Sequence, residues 1–234
     1  MPQPIQLYSW PTPNGHKVHI LLEELKLPYV VHPIDIGRGD QFAPDFLKIS
    51  PNNKMPAIVD PEGPDGQPLS LFESGAILLY LADKHRRFIP QDEAGRYITL
   101  QWLMWQMGGL GPMLGQAHHF LRYAPVEIPY GRERYSKEAQ RLYGVLDKRL
   151  AEVPYLAGDD YGIADIAVWP WTRSPDAQGV DRDAFPNFTR WFDRIAQRPA
   201  VERGVEVLAD HRRSGEMSDE EKEILFGTRQ YERR

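Results

Sequence analysis

Ala57-Ile58-Val59-Asp60-Pro61-Glu62-Gly63-Pro64-Asp65-Gly66-Gln67-Pro68-Leu69-Ser70-Leu71-Phe72-Glu73-Ser74 sets two short apolar runs on either side of a Pro/Gly loop. Residues 57–60 and 69–72 read as antiparallel strands, and residues 61–66 as the hairpin-type loop between them. Glu73-Ser74 then opens an apolar helix that runs to about Lys84.

Upstream of this ββα unit the chain alternates. Ile5-Gln6-Leu7-Tyr8 is a short strand, and Pro11-Thr12-Pro13-Asn14-Gly15 a turn. From His16 an amphipathic helix places Val18, Leu21, Leu22 and Leu25 at i, i+3, i+4 and i+7. Tyr29 to Asp35 is a second strand, rich in β-branched residues. Pro44 to Ile49 is a short helix that starts at a proline. The order is β-α-β-α-β-β-α. A right-handed βαβ unit followed by ββα gives a four-stranded mixed sheet with helices on both faces, a thioredoxin-like layout.

After Arg87-Phe88-Ile89-Pro90 the pattern turns helical. One helix is expected from Ala94 towards Phe120 with a kink at Gly108-Gly109-Leu110-Gly111-Pro112, and a second from Tyr130 to Glu152. A third starts near Gly162, and a fourth spans Phe188 to Gln197. The fold class is therefore α/β plus all-α. The expected division is residues 1–88, an all-helical domain at 89–210, and a polar, loosely attached tail at 211–234.

Composition narrows the chemistry. Of 234 residues, 41% are hydrophobic and 26% charged, as in ordinary globular proteins, and the formal net charge is -5. That balance implies no general attraction to nucleic acid or an anionic membrane. No run approaches the roughly 18 apolar residues of a spanning helix. Met1-Pro2-Gln3-Pro4 lacks the basic and apolar regions of a secretory signal, so a cytoplasmic location is the expectation. Cysteine is absent, which excludes disulfides, thiolate metal sites and a cysteine nucleophile in this chain. Any thiol chemistry must use a ligand's sulfur.

Three blocks carry a resemblance. Residues 8–17 (Tyr-Ser-Trp-Pro-Thr-Pro-Asn-Gly-His-Lys), 50–58 (Ser-Pro-Asn-Asn-Lys-Met-Pro-Ala-Ile) and 69–77 (Leu-Ser-Leu-Phe-Glu-Ser-Gly-Ala-Ile) resemble the glutathione S-transferase superfamily. The branch they resemble is the bacterial Nu-class, or Ure2-like, group, which includes disulfide-bond reductases of enteric bacteria. Gln101-Trp102 through His119 extends the likeness, which covers residues 5 to 208.

Glutathione needs a main-chain edge for its cysteinyl unit, an anion pocket for its γ-glutamyl end and a donor for its sulfur. Met55-Pro56 suits the first: an X–Pro bond before a strand can be cis, leaving the Met55 backbone to pair with the ligand, and the resemblance implies cis. Glu73-Ser74, at a helix start, suits the second, with Ser74 donating to the α-carboxylate and Glu73 pairing with the ammonium. Ordinary N-capping would explain the same two residues. For the sulfur, Thr12, the Asn14 side chain, the Asn14 N–H or the helix N-terminus could each face a thiolate. Local turn formation and capping explain Thr12 and Asn14 equally well. The resemblance implies that both approach the sulfur, with Asn14 the more important. It also implies that Gln41 bonds the glycine end and that Arg134 binds a second glutathione. Lys54 can pair with a ligand carboxylate. Tyr8, on a strand, reads as packing. In Gly162-Ile163-Ala164-Asp165 the usual Ser or Thr cap is replaced by Gly, and Asp165 is left to bond back to the cap N–H. Neighbouring His118 and His119 point apart on a helix, and no metal site is expected.

The expected activity is glutathione-dependent disulfide-bond reduction, with a small-molecule disulfide as partner. Glutathione acts as co-substrate, as two molecules or in its oxidised form. Conjugation of glutathione to electrophiles and a non-catalytic glutathione-binding module are the alternatives. The resemblance also implies a homodimer.

Overall fold

The computed structural model describes residues 3–213 and 215–232. Met1, Pro2, Ser214, Arg233 and Arg234, some of them within the segments read above as a start and a tail, lie outside the described residues. Contacts group the residues up to Ile77 with those from Arg203 onward, and set Leu78–Glu202 apart. The grouping differs from the chain-order division at 88 and 210, because the C-terminal segment packs with the first unit.

In the first unit, β1 (Ile5–Ser9), β2 (Tyr29–Pro33), β3 (Ala57–Asp60) and β4 (Leu69–Phe72) form one sheet in the order β2-β1-β3-β4. β1 runs parallel to β2 and antiparallel to β3, and β3 antiparallel to β4. The mixed sheet is the one expected. β2 stops at Pro33 and not at Asp35. Alternation along β1 turns Ile5, Leu7 and Ser9 to one face and Tyr8 to the other. On the Tyr8 face, α2 (Pro44–Ile49) packs through Phe46 and Ile49 with Ile34, Ala57 and Phe72. On the Ser9 face lies α1 (Pro13–Leu25), whose His19 Nε2 is 2.8 Å from Ser9 Oγ. α3 (Ser74–His85) follows β4.

In the second unit, α4 (Glu93–Trp105) and α5 (Gly111–His118) are joined by a π-helical turn over Gln106–Leu110. The kink expected at 108–112 takes this form: Pro112 has no N–H to give an i−4 carbonyl, and the register widens. A second π-turn, His119–Tyr123, leads to α6 (Pro129–Glu152), then α7 (Ile163–Val168) and α8 (Pro186–Ala196). Asp165 is fully buried at the start of α7. It accepts from the N–H groups of Leu156 (3.0 Å) and Gly162 (3.1 Å) and from Trp191 Nε1 (2.8 Å). The bond back to the Gly162 N–H is the surviving half of the capping box. Burial still raises the Asp165 carboxyl to about 6.

Two helices were not foreseen. α9 (Pro199–Glu206) follows α8 after a break at Pro199, and its last turn belongs to the first unit. There Gly204 presses on α1 so closely that a Cβ would lie 2.7 Å from Ile20 Cα. Arg203 Nε pairs with Glu23 at 2.6 Å. The segment read as a loose tail holds α10 (Asp219–Phe226), capped by Ser218, with Ile224 buried.

Candidate functional site

The turn after β1 does two jobs. Thr12 is extended and caps α1, its Oγ1 accepting from the Gly15 N–H at 3.3 Å. The same hydroxyl donates to Met55 Sδ at 3.5 Å, so the turn touches the loop ahead of β3. The helix begins at Pro13, three residues before the His16 start expected, because a capping Thr and a proline with its φ already helical suit a first turn. Asn14 is the second helical residue, at the positive end of the α1 dipole. Gly15 has no alternative there, since an added Cβ would collide with the Trp10 carbonyl.

The Met55-Pro56 bond is cis, as the resemblance implied. Just ahead of it Ser50 Oγ donates to the Lys54 carbonyl at 2.7 Å. The Lys54 ammonium is partly buried, which lowers its pKa, and donates to Gln230 Oε1 at 2.9 Å.

At the end of β4, Glu73 adopts a left-handed backbone, φ 70°. Such a conformation is uncommon for a residue with a side chain and collects at functional sites. The Glu73 carbonyl accepts from the Ile77 N–H at 2.9 Å, and Ser74 is the first residue of α3.

Sequence reasoning missed the residue beneath this pair. Lys17 of α1 is 1% exposed, and its Nζ donates to Ser74 Oγ at 3.3 Å. Desolvation lowers the Lys17 pKa to about 7 against an upward pull from Glu73. A hydroxyl that accepts from an ammonium keeps its own proton to donate. Lys17 therefore adds positive charge beneath Ser74 while orienting that hydroxyl. Ile20, an apolar residue off the main stripe of α1, was the available signal for a second buried face.

Gln41 lies in a short 3-10 turn before α2 and is 3% exposed. Its Nε2 donates to the Ile36 carbonyl at 3.3 Å, which fixes the amide's orientation. Its buried Oε1 has no hydrogen-bond partner among the described residues. An orphaned buried acceptor in a native site calls for a donor, and a peptide ligand has N–H groups to supply. Tyr8 packs, its ring stacked on His32 at 4.6 Å and tilted against Phe46. Arg134 is exposed on α6 in the second unit. His118 stacks on Trp171, and burial lowers its pKa to about 4. Among the described residues no group of three or more His, Asp or Glu could hold a metal ion, and no helix is long and apolar enough to cross a membrane.

The structure thus links Thr12 to Met55 by one contact, and Lys17 to Glu73 and Ser74 by another. Residues 3–83 match the family model for the glutathione S-transferase N-terminal domain, and residues 124–199 the model for its C-terminal domain. The chain belongs to the glutathione S-transferase family. A similar relative is the disulfide-bond oxidoreductase YfcG of Escherichia coli, 57% identical over 198 residues, covering 84% of this chain and 92% of the relative. Among solved transferase structures, that of Burkholderia graminis carries two glutathione molecules per subunit. It is 50% identical at a TM-score of 0.84, covering 87% of this chain and 88% of the other. The transferase of Pseudomonas putida, with one glutathione disulfide per subunit, is 48% identical at 0.83, covering 87% and 91%.

Proposed function

We propose that this transferase is a glutathione-dependent disulfide-bond oxidoreductase that works with ligand thiols alone. The observation that carries the reading is its 57% identity across 92% of a relative named a disulfide-bond oxidoreductase, in a chain of the glutathione S-transferase family without cysteine. Glutathione is a substrate here: one thiolate attacks a disulfide to give a mixed disulfide and a released thiolate, and a second glutathione thiolate displaces the other half. Two glutathiones are oxidised to one glutathione disulfide while one substrate disulfide is reduced to two thiols.

The protein's part is to bind and to stabilise charge. A free thiol has a pKa of about 8.5, and each unit of lowering takes roughly 1.4 kcal/mol of preference for the thiolate. Asn14 and the N-terminus of α1 are assigned that role, with Thr12 beside them. The Met55 backbone pairs with the cysteinyl unit. Ser74 donates to the γ-glutamyl carboxylate, Glu73 holds the ammonium, and Gln41 and Lys54 serve the glycyl end. A homodimer and a cytoplasmic location accompany this reading.

The test is steady-state turnover with glutathione and either a small disulfide or an aryl halide. Fast disulfide turnover with near-zero conjugation is expected. The reverse pattern would make the protein a conjugating transferase, and tight glutathione binding without turnover would make it a binding module.

A further inference from the structure

Within the first unit, the C-terminal segment meets the N-terminal part of the chain at three places, each beside a residue assigned to glutathione. His211 lies against Trp10, ring centroids 5.1 Å apart, and Trp10 leads into the Thr12–Asn14 turn. α10 lies against the loop that precedes Gln41. A Cβ at Gly37 would sit 3.0 Å from Glu221 Oε1, and one at Gly39 would sit 3.9 Å from Ile224 Cγ2. That loop is bare of side chains where the helix presses, and Ile224 is 3% exposed. Beyond α10, Gln230 turns back. Its Nε2 donates to the Ile224 carbonyl at 2.7 Å and its Oε1 accepts from Lys54 Nζ at 2.9 Å.

This arrangement is built. The Ser218–Glu221 capping box holds the start of α10, with Ser218 N–H donating to Glu221 Oε2 at 2.7 Å. Arg213 Nη2 pairs with Glu221 Oε1 at 2.8 Å. The Gln230 amide is tied at both ends, so it fixes where the Lys54 ammonium sits. An ammonium has three donors. One spent on Gln230 leaves two that can reach a carboxylate.

We infer that the C-terminal segment from Ser218 to Gln230 is a specificity element of the glutathione site, with Gln230 positioning Lys54 and α10 bracing the Gln41 loop to recognise the glycyl end. The inference rests on the glutathione reading above and adds that the protein tells glutathione from γ-glutamylcysteine, which lacks only the glycine. His211, which lies beside the Thr12–Asn14 turn, is kept in every variant tested below, so the thiol side of the site is left as it is.

Calorimetric titration with each ligand tests it, on the intact protein, on Gln230→Ala, on Gln230→Glu and on a chain ending at Arg213. Truncation is expected to raise the Kd for glutathione about tenfold, the equivalent of one well-made charged contact, while γ-glutamylcysteine changes less than about twofold. Gln230→Ala should show about a threefold version of the same split. Gln230→Glu should weaken glutathione more than Gln230→Ala does, because a carboxylate beside Lys54 competes with the ligand's own. A melting curve on each variant separates unfolding from loss of recognition. Equal losses for both ligands, or unchanged binding of both, would overturn the inference. Failure of the intact protein to bind either ligand would overturn the glutathione reading itself.

Discussion

Two charges are buried near helix starts, one in each unit, and they are held differently. Asp165, at the start of α7, is met by three N–H donors from Leu156, Gly162 and Trp191. Lys17, in the second turn of α1, is met by the Ser74 hydroxyl and the field of Glu73. Desolvation moves both towards neutrality, Asp165 up to about 6 and Lys17 down to about 7. The partners of Asp165 belong to the fold. Those of Lys17 are the residues assigned to the ligand's γ-glutamyl end. A charge wired into backbone N–H groups secures a structure; a charge wired into a binding pair tunes a site.

The comparison can be broken from either side. Asp165→Ala strands three buried donors and should cost roughly 3 kcal/mol or more in denaturant unfolding, while the folded fraction keeps its glutathione affinity. A loss of affinity with unchanged stability would put Asp165 in the site. Asn14→Ala should cut disulfide turnover about a hundredfold in kcat/KM, the usual scale for one lost donor to a developing or resident anion. If Thr12→Ala is dead and Asn14→Ala is not, the sulfur contact belongs to Thr12.

Lys17→Met is the mirror of the Asp165 variant. Glutathione affinity should fall about tenfold with no loss of stability at pH 6, because a desolvated cation is removed along with the charge and orientation it gives Ser74. The sign with pH follows from a folded pKa lowered below the unfolded value. Between about pH 7 and pH 10.5 the unfolded chain holds the Lys17 proton that the folded chain has released, so stability rises with pH across that window. Lys17→Met should lack this slope in unfolding curves taken at several pH values. An anionic ligand favours the charged lysine, so affinity for S-methylglutathione, which has no thiol to titrate, should fall as pH rises above 7. His19 in the same helix is held near 4 by burial and stays neutral throughout. The smallest effect is on stability: loss of the Thr12 cap in Thr12→Ala should cost about 1 kcal/mol.

Much of the sheet was legible because its signals are local. The β3–β4 hairpin has a Pro/Gly loop between two apolar runs, and its strand limits match the structure at both ends. The placing of Thr12, Met55 and Glu73–Ser74 on turns and a helix start was legible for the same reason. Lys17 was not, because the hydroxyl it meets, on Ser74, lies 57 residues along the chain. The stripe Val18, Leu21, Leu22 and Leu25 marks one covered face of α1. Lys17, Ile20 and Glu24 form a second, and what presses on Ile20 is Gly204. α9 was hidden by the proline that separates it from α8. α10 is polar enough to pass for a tail, though Ser218-Asp219-Glu220-Glu221 ahead of Ile224 carries the capping signature.

The contact of Gly204 with Ile20 also sets an order on the making of the protein. Chains are synthesised from the N-terminus, and domains tend to fold as they emerge. All four strands are made by Phe72, yet the last wall of α1 is not made until the ribosome has passed Gly204. A nascent chain therefore carries its sheet long before it can cover Ile20, and that face of α1 waits for a residue made 184 positions later.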